Sequence, residues 1–271
     1  QVRGFVLDAE GQQLGNVHRS PRLFFGAEKR LALIMTMIAT KLITVRQAID
    51  AACQQAGRAA GAVQLLAVSK TQSPDAMRAA FAAGQVAFGE NYVQEALDKM
   101  TALADLPLVW HCIGPLQSNK TKPVAEHFDW VHSVDRLKIA QRLSEQRPTG
   151  MPPLQICLQV NVDGGANKSG VTPGDALPLA LAVAALPRLQ LRGIMSIPEP
   201  AAGFEAEKAV HLQAKTLFDD IARALASHGL SAAKHFDTLS LGMSADMAAA
   251  IAAGSTMVRV GSAIFGSRAP K

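Results

Sequence analysis

The stretch LLAVSKTQSPD, residues 65–75, ends an apolar run on a lysine, with a helix-start signal directly behind it. Burying an unpaired ammonium is costly. Lys70 therefore snorkels to solvent, pairs with a carboxylate, or does chemistry. The chemistry open to it is nucleophilic. An amine with apolar walls and nearby cations has its pKa lowered, and the neutral form attacks an aldehyde to give a Schiff base. Lys120 and Lys168 are rivals, but both lie in polar loops, LQSNKTK and GGANKSG, that read as solvated.

Other candidates are scattered along the chain. Asn91 closes VAFGEN beside Glu90 and Tyr92, and Arg259 sits inside MVRVGSAIFG. A guanidinium always donates, so an inward-facing Arg259 would hydrogen-bond a heterocyclic nitrogen and keep it unprotonated. The alternative is an ion pair with Glu90 or Asp163 at the rim. His111, in the apolar run LVWHCIG, reads as a satisfied core histidine, and Glu199, between prolines in PEP, as solvated. Toward the end, LGMSADMAAAIAAG and VGSAIFG have the composition of an anion cradle. Ser244 is expected to cap the following helix, Gly261 lets backbone N–H groups approach an anion, and Ser262 lies beside it. Ordinary Gly–Ser turns look the same, and Asp246 would repel a dianion unless it points outward.

Apolar runs that alternate with helix-like segments must position these residues. The runs begin at Leu65, Val86, Leu108, Trp130, Leu154, Leu191, Phe236 and Met257. Ahead of them an extra N-terminal helix is expected in TVRQAIDAACQQAGR, with Val45, Ile49 and Ala52 on one face and Gly57 as its stop. Ser73, Pro74 and Gly84 punctuate the helix after the first run. Eight strands at this spacing indicate a single-domain (β/α)8 barrel, with continuous apolar strands because both faces are covered. A doubly wound open sheet would carry fewer strands, and no G-x-G-x-x-G follows the first run. In such barrels the working residues lie on the C-terminal rim, with a common anion site after strands 7 and 8. That brings Lys70, Asn91, Ser244, Arg259, Gly261 and Ser262 together. Pyridoxal 5'-phosphate (PLP) offers the aldehyde and the phosphate that such a rim would take.

Composition narrows the class. Of 271 residues, 49% are apolar and 18% charged, which suits a globular core; 5% are aromatic, too few for base-stacking platforms on nucleic acid. The net charge of +5 is thinly spread and suits a small phosphorylated ligand as well as any other partner. Cys53, Cys112 and Cys157 lie far apart and read as buried thiols in a reducing cytoplasm, not as metal ligands. LALIMTMIA, at 31–39, is too far along for a signal peptide and too short to span a bilayer. Residues 1–36 read as a poorly ordered extension and 37–271 as the barrel.

LLAVSKTQSPDAM, FGENYVQEALDKM, WHCIGPLQSNKTK, LPRLQLRGIMSIP and LSLGMSADMAAAIAAGSTMVRVGSAIFG closely resemble the pyridoxal phosphate homeostasis proteins. These are stand-alone barrels similar to the N-terminal domain of alanine racemase, and the likeness runs from about Met37 to Arg268. The resemblance implies that Lys70 carries PLP as an aldimine and that Arg259 faces the ring nitrogen. It also implies that Ser244 with the backbone of Gly261 and Ser262 holds the phosphate, and that Asn91 lines the pocket. Ser262 stands where the family often has threonine. An alanine-racemase-like enzyme is the competing expectation. It would need a second base, which alanine racemases take from a tyrosine on a following domain, whereas this chain ends shortly after AIFG and its one tyrosine is Tyr92. The family is regarded as carriers and regulators of PLP, so a cytoplasmic monomer serving PLP-dependent apoenzymes is expected, without nucleic acid or membrane partners.

Overall fold

The structure is a computed structural model in which residues 27–165 and 169–266 are described, with side chains from residue 32 onward. Eight parallel strands close into a barrel in sequential order. They are β1 (Gln64–Val68), β2 (Ala87–Glu90), β3 (Val109–Cys112), β4 (Trp130–Val134), β5 (Leu154–Gln159), β6 (Leu189–Met195), β7 (Thr238–Ser240) and β8 (Met257–Val260). Each falls within, or overlaps, the apolar run expected for it. The strands are continuous in hydrophobicity because side chains alternate between the lumen and the surrounding helices, and neither direction meets water. β8 is buried throughout, and β5 at all but one position.

The outer ring comprises α2 (Pro74–Ala82), α3 (Val93–Ala102), α4 (Thr121–His127), α5 (Leu137–Gln146), α6 (Pro173–Ala184), α7 (Phe204–Ser227) and α8 (Met247–Ala252). A one-turn helix, α9 (Ser262–Phe265), follows β8, inside what the sequence reads as one long strand-like run. Local chemistry sets the helix starts. In α2, Ser73 Oγ accepts from Ala76 N at 3.2 Å, with Pro74 in the first turn.

Ahead of the barrel, α1 (Ala27–Gln55) is longer than expected and begins inside the segment that the sequence sets apart as an extension. Leu42, Val45, Ile49 and Cys53 bury its C-terminal half, and Gly57 (φ 67°) ends the unit in a left-handed conformation. Ala32–Gln55 is long and apolar enough to cross a membrane by length and composition, with 22% of its window buried. The expectation for residues 1–26 lies outside the described residues. All three cysteines are free and buried, and burial pushes the Cys112 and Cys157 thiols up to about 12. No cluster suited to a metal ion occurs among the described residues.

Candidate functional site

Lys70, Asn91, Ser244, Arg259, Gly261 and Ser262, spread over nearly 200 positions, all line one cavity of about 330 Å3 at the C-terminal rim. Val68, Gln72, Ile113, Ile197 and Met243 supply most of its remaining wall. The geometry follows from the fold: each polar residue lies in the last part of a strand or in the segment directly behind one.

Lys70 is half-buried and stands two residues past β1. Ser69 N extends the ladder to Gly89 O at 3.0 Å, and Gln72 N bonds Ser69 O at 3.0 Å, which closes a tight turn over 69–72. Thr71, the third residue of that turn, has φ 65°, a position that glycine usually takes. The turn therefore fixes where the Lys70 side chain leaves the backbone.

Arg259 is 4% exposed, and its hydrogen-bond partners are neutral. Its Nη1 donates to Ser240 O at 2.6 Å and Ser240 Oγ at 2.8 Å, and Nη2 donates to Ser196 O at 2.9 Å. The expected alternative, an ion pair with Glu90 or Asp163, is not formed. Glu90 is taken by Lys99 and Ser69, too far round the rim to serve a residue that reaches toward β6 and β7. Burial brings the guanidinium from 12.5 down to about 10. It stays charged at neutral pH, and two of its five N–H donors remain beyond these three bonds.

A chain of neutral groups stands behind Arg259. Ser240 Oγ lies 3.2 Å from His132 Nδ1, and His132 Nε2 lies 2.9 Å from His111 Nδ1. β4 and β7 are not neighbours in the sheet, so the first of these contacts crosses the barrel interior. His111 stacks on Trp130 at 5.1 Å. Burial lowers its pKa to about 3 and, with His111 and Arg259, holds His132 well below 6.5. Each imidazole is therefore a neutral tautomer with one donor and one acceptor nitrogen. His111 is a satisfied core residue, as its sequence context predicts.

The anion end is built from the loops after β7 and β8. Ser244 is exposed at the cavity edge, but it is not the helix cap that the sequence predicts. The cap of α8 is Asp246, because residues 244–246 form a turn ahead of the helix. That turn also disposes of the carboxylate. Its Oδ1 accepts from Met243 N at 2.7 Å and its Oδ2 meets His211 Nε2 at 2.9 Å. After β8, Gly261 precedes α9, where the first N–H groups, on Ser262 and Ala263, have no intrahelical acceptor. A Cβ on Gly261 would come within 3.0 Å of Val68 O, so this loop packs hard against the end of β1.

Among the other candidates, Lys120 is exposed in a 3-10 turn (Ser118–Lys120) and does not line the cavity. Lys168 lies outside the described residues. Tyr92 is 57% exposed, and Glu199 is exposed with its N–H on Asp163 Oδ2. The sequence reading missed His132, His211 and a buried group around Lys99, and it places Ser240 on the rim without its bond to Arg259. The one local signal was the i,i+4 pair of Glu95 and Lys99. Asn91 Oδ1 is buried without a hydrogen-bond partner, an acceptor available to a ligand. An amine, a guanidinium with spare donors and an edge of serines and free N–H groups suit an aldehyde that carries a phosphate.

The class this defines is the alanine racemase N-terminal-domain barrel: eight parallel strands with a lysine after β1 and an arginine in β8. The family model described as "Alanine racemase, N-terminal domain" matches residues 45–269. The chain belongs to the pyridoxal phosphate homeostasis protein family, and the relative of that name from Pseudomonas aeruginosa is 56% identical over 234 residues, covering 86% of this chain and 97% of the relative. PipY of Synechococcus elongatus, solved with PLP bound, superimposes with a TM-score of 0.71 at 36% identity, covering 84% of this chain and 100% of that one. Alanine racemase from Corynebacterium glutamicum, 18% identical with a TM-score of 0.60, covers 86% of this chain and 62% of its own, and shows the shared fold alone.

Proposed function

We propose that this chain binds PLP covalently through Lys70 and serves the homeostasis of that cofactor, holding it, buffering it and passing it to PLP-dependent apoenzymes. The observation that carries this reading is the convergence of Lys70, Arg259 and the Ser244–Ser262 edge on one cavity of about 330 Å3. When bound, PLP supplies an aldehyde that condenses with a neutral amine, with loss of water.

The rest is the work of the chain. The 69–72 turn presents the Lys70 amine to a cavity whose walls include Val68, Ile113 and Ile197. Arg259 can only donate, so a ring nitrogen that meets its spare N–H groups accepts and stays unprotonated. Such a ring is a weak electron sink. Ser244, Gly261 and Ser262 would hold the phosphate, with Asp246 tied away from it by His211 and Met243 N. The orphaned acceptor Asn91 Oδ1 suits a donor on the ligand.

A carrier role, and not amino-acid turnover, is supported by the relatives from Pseudomonas aeruginosa and Escherichia coli, both named pyridoxal phosphate homeostasis proteins. We further place the protein in the cytoplasm as a monomer with a barrel over residues 37–271, acting without nucleic acid or membrane. The test is an absorbance spectrum before and after borohydride reduction, with peptide mapping. A visible band lost in Lys70→Ala, with the label on the Lys70 peptide, is expected; an undiminished band would move the linkage to another lysine. In a chiral assay, alanine racemisation should stay at background, and robust turnover would overturn the carrier role.

A further inference from the structure

The turn that carries Lys70 is gripped from behind by a buried ionic group of β2 and α3. Lys99 is 5% exposed, and its Nζ donates to Ser69 O at 2.7 Å, Glu90 Oε1 at 2.8 Å and Glu95 Oε1 at 2.6 Å. Glu90 Oε1 also accepts from Ser69 Oγ at 2.6 Å, and Glu95 Oε1 accepts from Thr71 N at 2.6 Å. Both neighbours of Lys70 are thus tied: Ser69 by its carbonyl and hydroxyl, Thr71 by its N–H.

Two features argue that this serves the lysine and not stability alone. Buried ion clusters are often no more stabilising than well-packed apolar residues. And Thr71 is held at φ 65°, which is unfavourable for a β-branched side chain and persists only when its surroundings impose it. Glu95 supplies that constraint directly at the Thr71 N–H.

We propose that Lys99, Glu90 and Glu95 are positioning residues for Lys70, a clamp that fixes the backbone on both sides of it so that the amine meets an incoming aldehyde at a set place and angle. This rests on the reading of Lys70 as the cofactor-bearing lysine.

Glu95 is the member to test, because its side chain is 29% exposed and its loss leaves the Lys99–Glu90 pair intact. The full chain, stripped of PLP with a carbonyl scavenger, is mixed with PLP, and growth of the visible band is followed by stopped flow beside a melting curve. Glu95→Ala should slow band formation at least tenfold, whereas Glu95→Gln, which keeps an acceptor for Thr71 N–H, should recover most of the rate. Adding Thr71→Gly to Glu95→Ala should raise the melting temperature without restoring the rate. Wild-type loading rates in Glu95→Ala would overturn the clamp. So would joint recovery of rate and melting temperature in the double variant, which would mark the cluster as structural only. Absence of any Lys70 linkage in the wild type would instead overturn the underlying reading, and it shows in the unmutated protein.

Discussion

His211 holds Asp246 away from the anion end of the cavity: its buried Nε2 lies 2.9 Å from Asp246 Oδ2, while Met243 N takes the other oxygen at 2.7 Å. Burial alone would push the Asp246 carboxyl up, but these hydrogen bonds outweigh it and hold the pKa below 3.8. The group is therefore an anion at neutral pH, and its direction matters to a neighbouring phosphate. His211→Ala should free the carboxylate and weaken PLP binding roughly 3- to 10-fold, about 1 kcal/mol. Adding Asp246→Asn should restore affinity. An equilibrium titration checks both, and unchanged affinity in His211→Ala would show that the carboxylate has no reach to the site.

Asn91 depends on a glycine in the next strand's loop. A Cβ on Gly114 would overlap Asn91 O and lie 2.7 Å from its Cα, so only glycine lets β2 and β3 approach this closely at the rim. Gly114→Ala should displace Asn91, cost about 1–3 kcal/mol of stability and lower PLP affinity by about tenfold. Gly150→Ala, where nothing lies within 4 Å of the added carbon, is the control and should change neither. Equal affinity in the two variants would remove Asn91 from the site.

The barrel was legible because strands covered on both faces cannot alternate, so each reads as a continuous apolar run. The polar rim was legible for a related reason: Lys70, Asn91 and Arg259 interrupt or end runs that have no other cause to be polar. What could not be read was tertiary pairing. Sequence offers Glu90 or Asp163 as a partner for Arg259, whereas Glu90 serves Lys99 and the partners of Arg259 are carbonyls and a hydroxyl that carry no signature in sequence. The His132–Ser240 contact spans 108 positions. The sequence points to Ser244 as the cap of α8, whereas the structure has Asp246 there, because both residue types cap well and only the turn over 244–246 decides between them.

The buried imidazoles make acid stability testable. His111 and His132 are neutral in the fold well below pH 6.5, whereas in the unfolded chain they take up protons near that value. The folded pKa values are depressed, so the unfolded state binds more protons as pH falls. The associated stability is full above pH 6.5 and is lost as pH falls toward the depressed folded values, about 3 for His111. Each histidine contributes up to about 1.4 kcal/mol per pH unit. Going from about pH 7.5 to about pH 5.5 should thus lower the unfolding free energy by roughly 2–3 kcal/mol. Urea midpoints at the two values test this. A flat profile in the wild type would mean that the histidines are not buried as neutral groups.

Arg259 links stability to occupancy. Its pKa, brought by burial from 12.5 to about 10, corresponds to an unfavourable term of about 3 kcal/mol at ~1.4 kcal/mol per pH unit. No carboxylate bonds the guanidinium, since Ser240 and Ser196 offer only neutral oxygens, and the charge of Asp246 offsets burial only in part. Replacing the arginine removes that term but orphans the buried Ser196 carbonyl, at about 1–3 kcal/mol, while Ser240 O keeps the Ser196 N–H, so the two effects nearly cancel. Arg259→Met without PLP should therefore melt within a few degrees of the wild type, while the rise in melting temperature on adding PLP should shrink to less than half. Arg259→Glu should fare worse, because an acceptor-only carboxylate would face the same oxygens and must take up a proton to fit. Thermal melts with and without PLP separate the outcomes. A collapse of the ligand-free methionine variant by more than about 10 °C would show that the guanidinium is structural first, and an undiminished PLP shift would show that it does not meet the ligand.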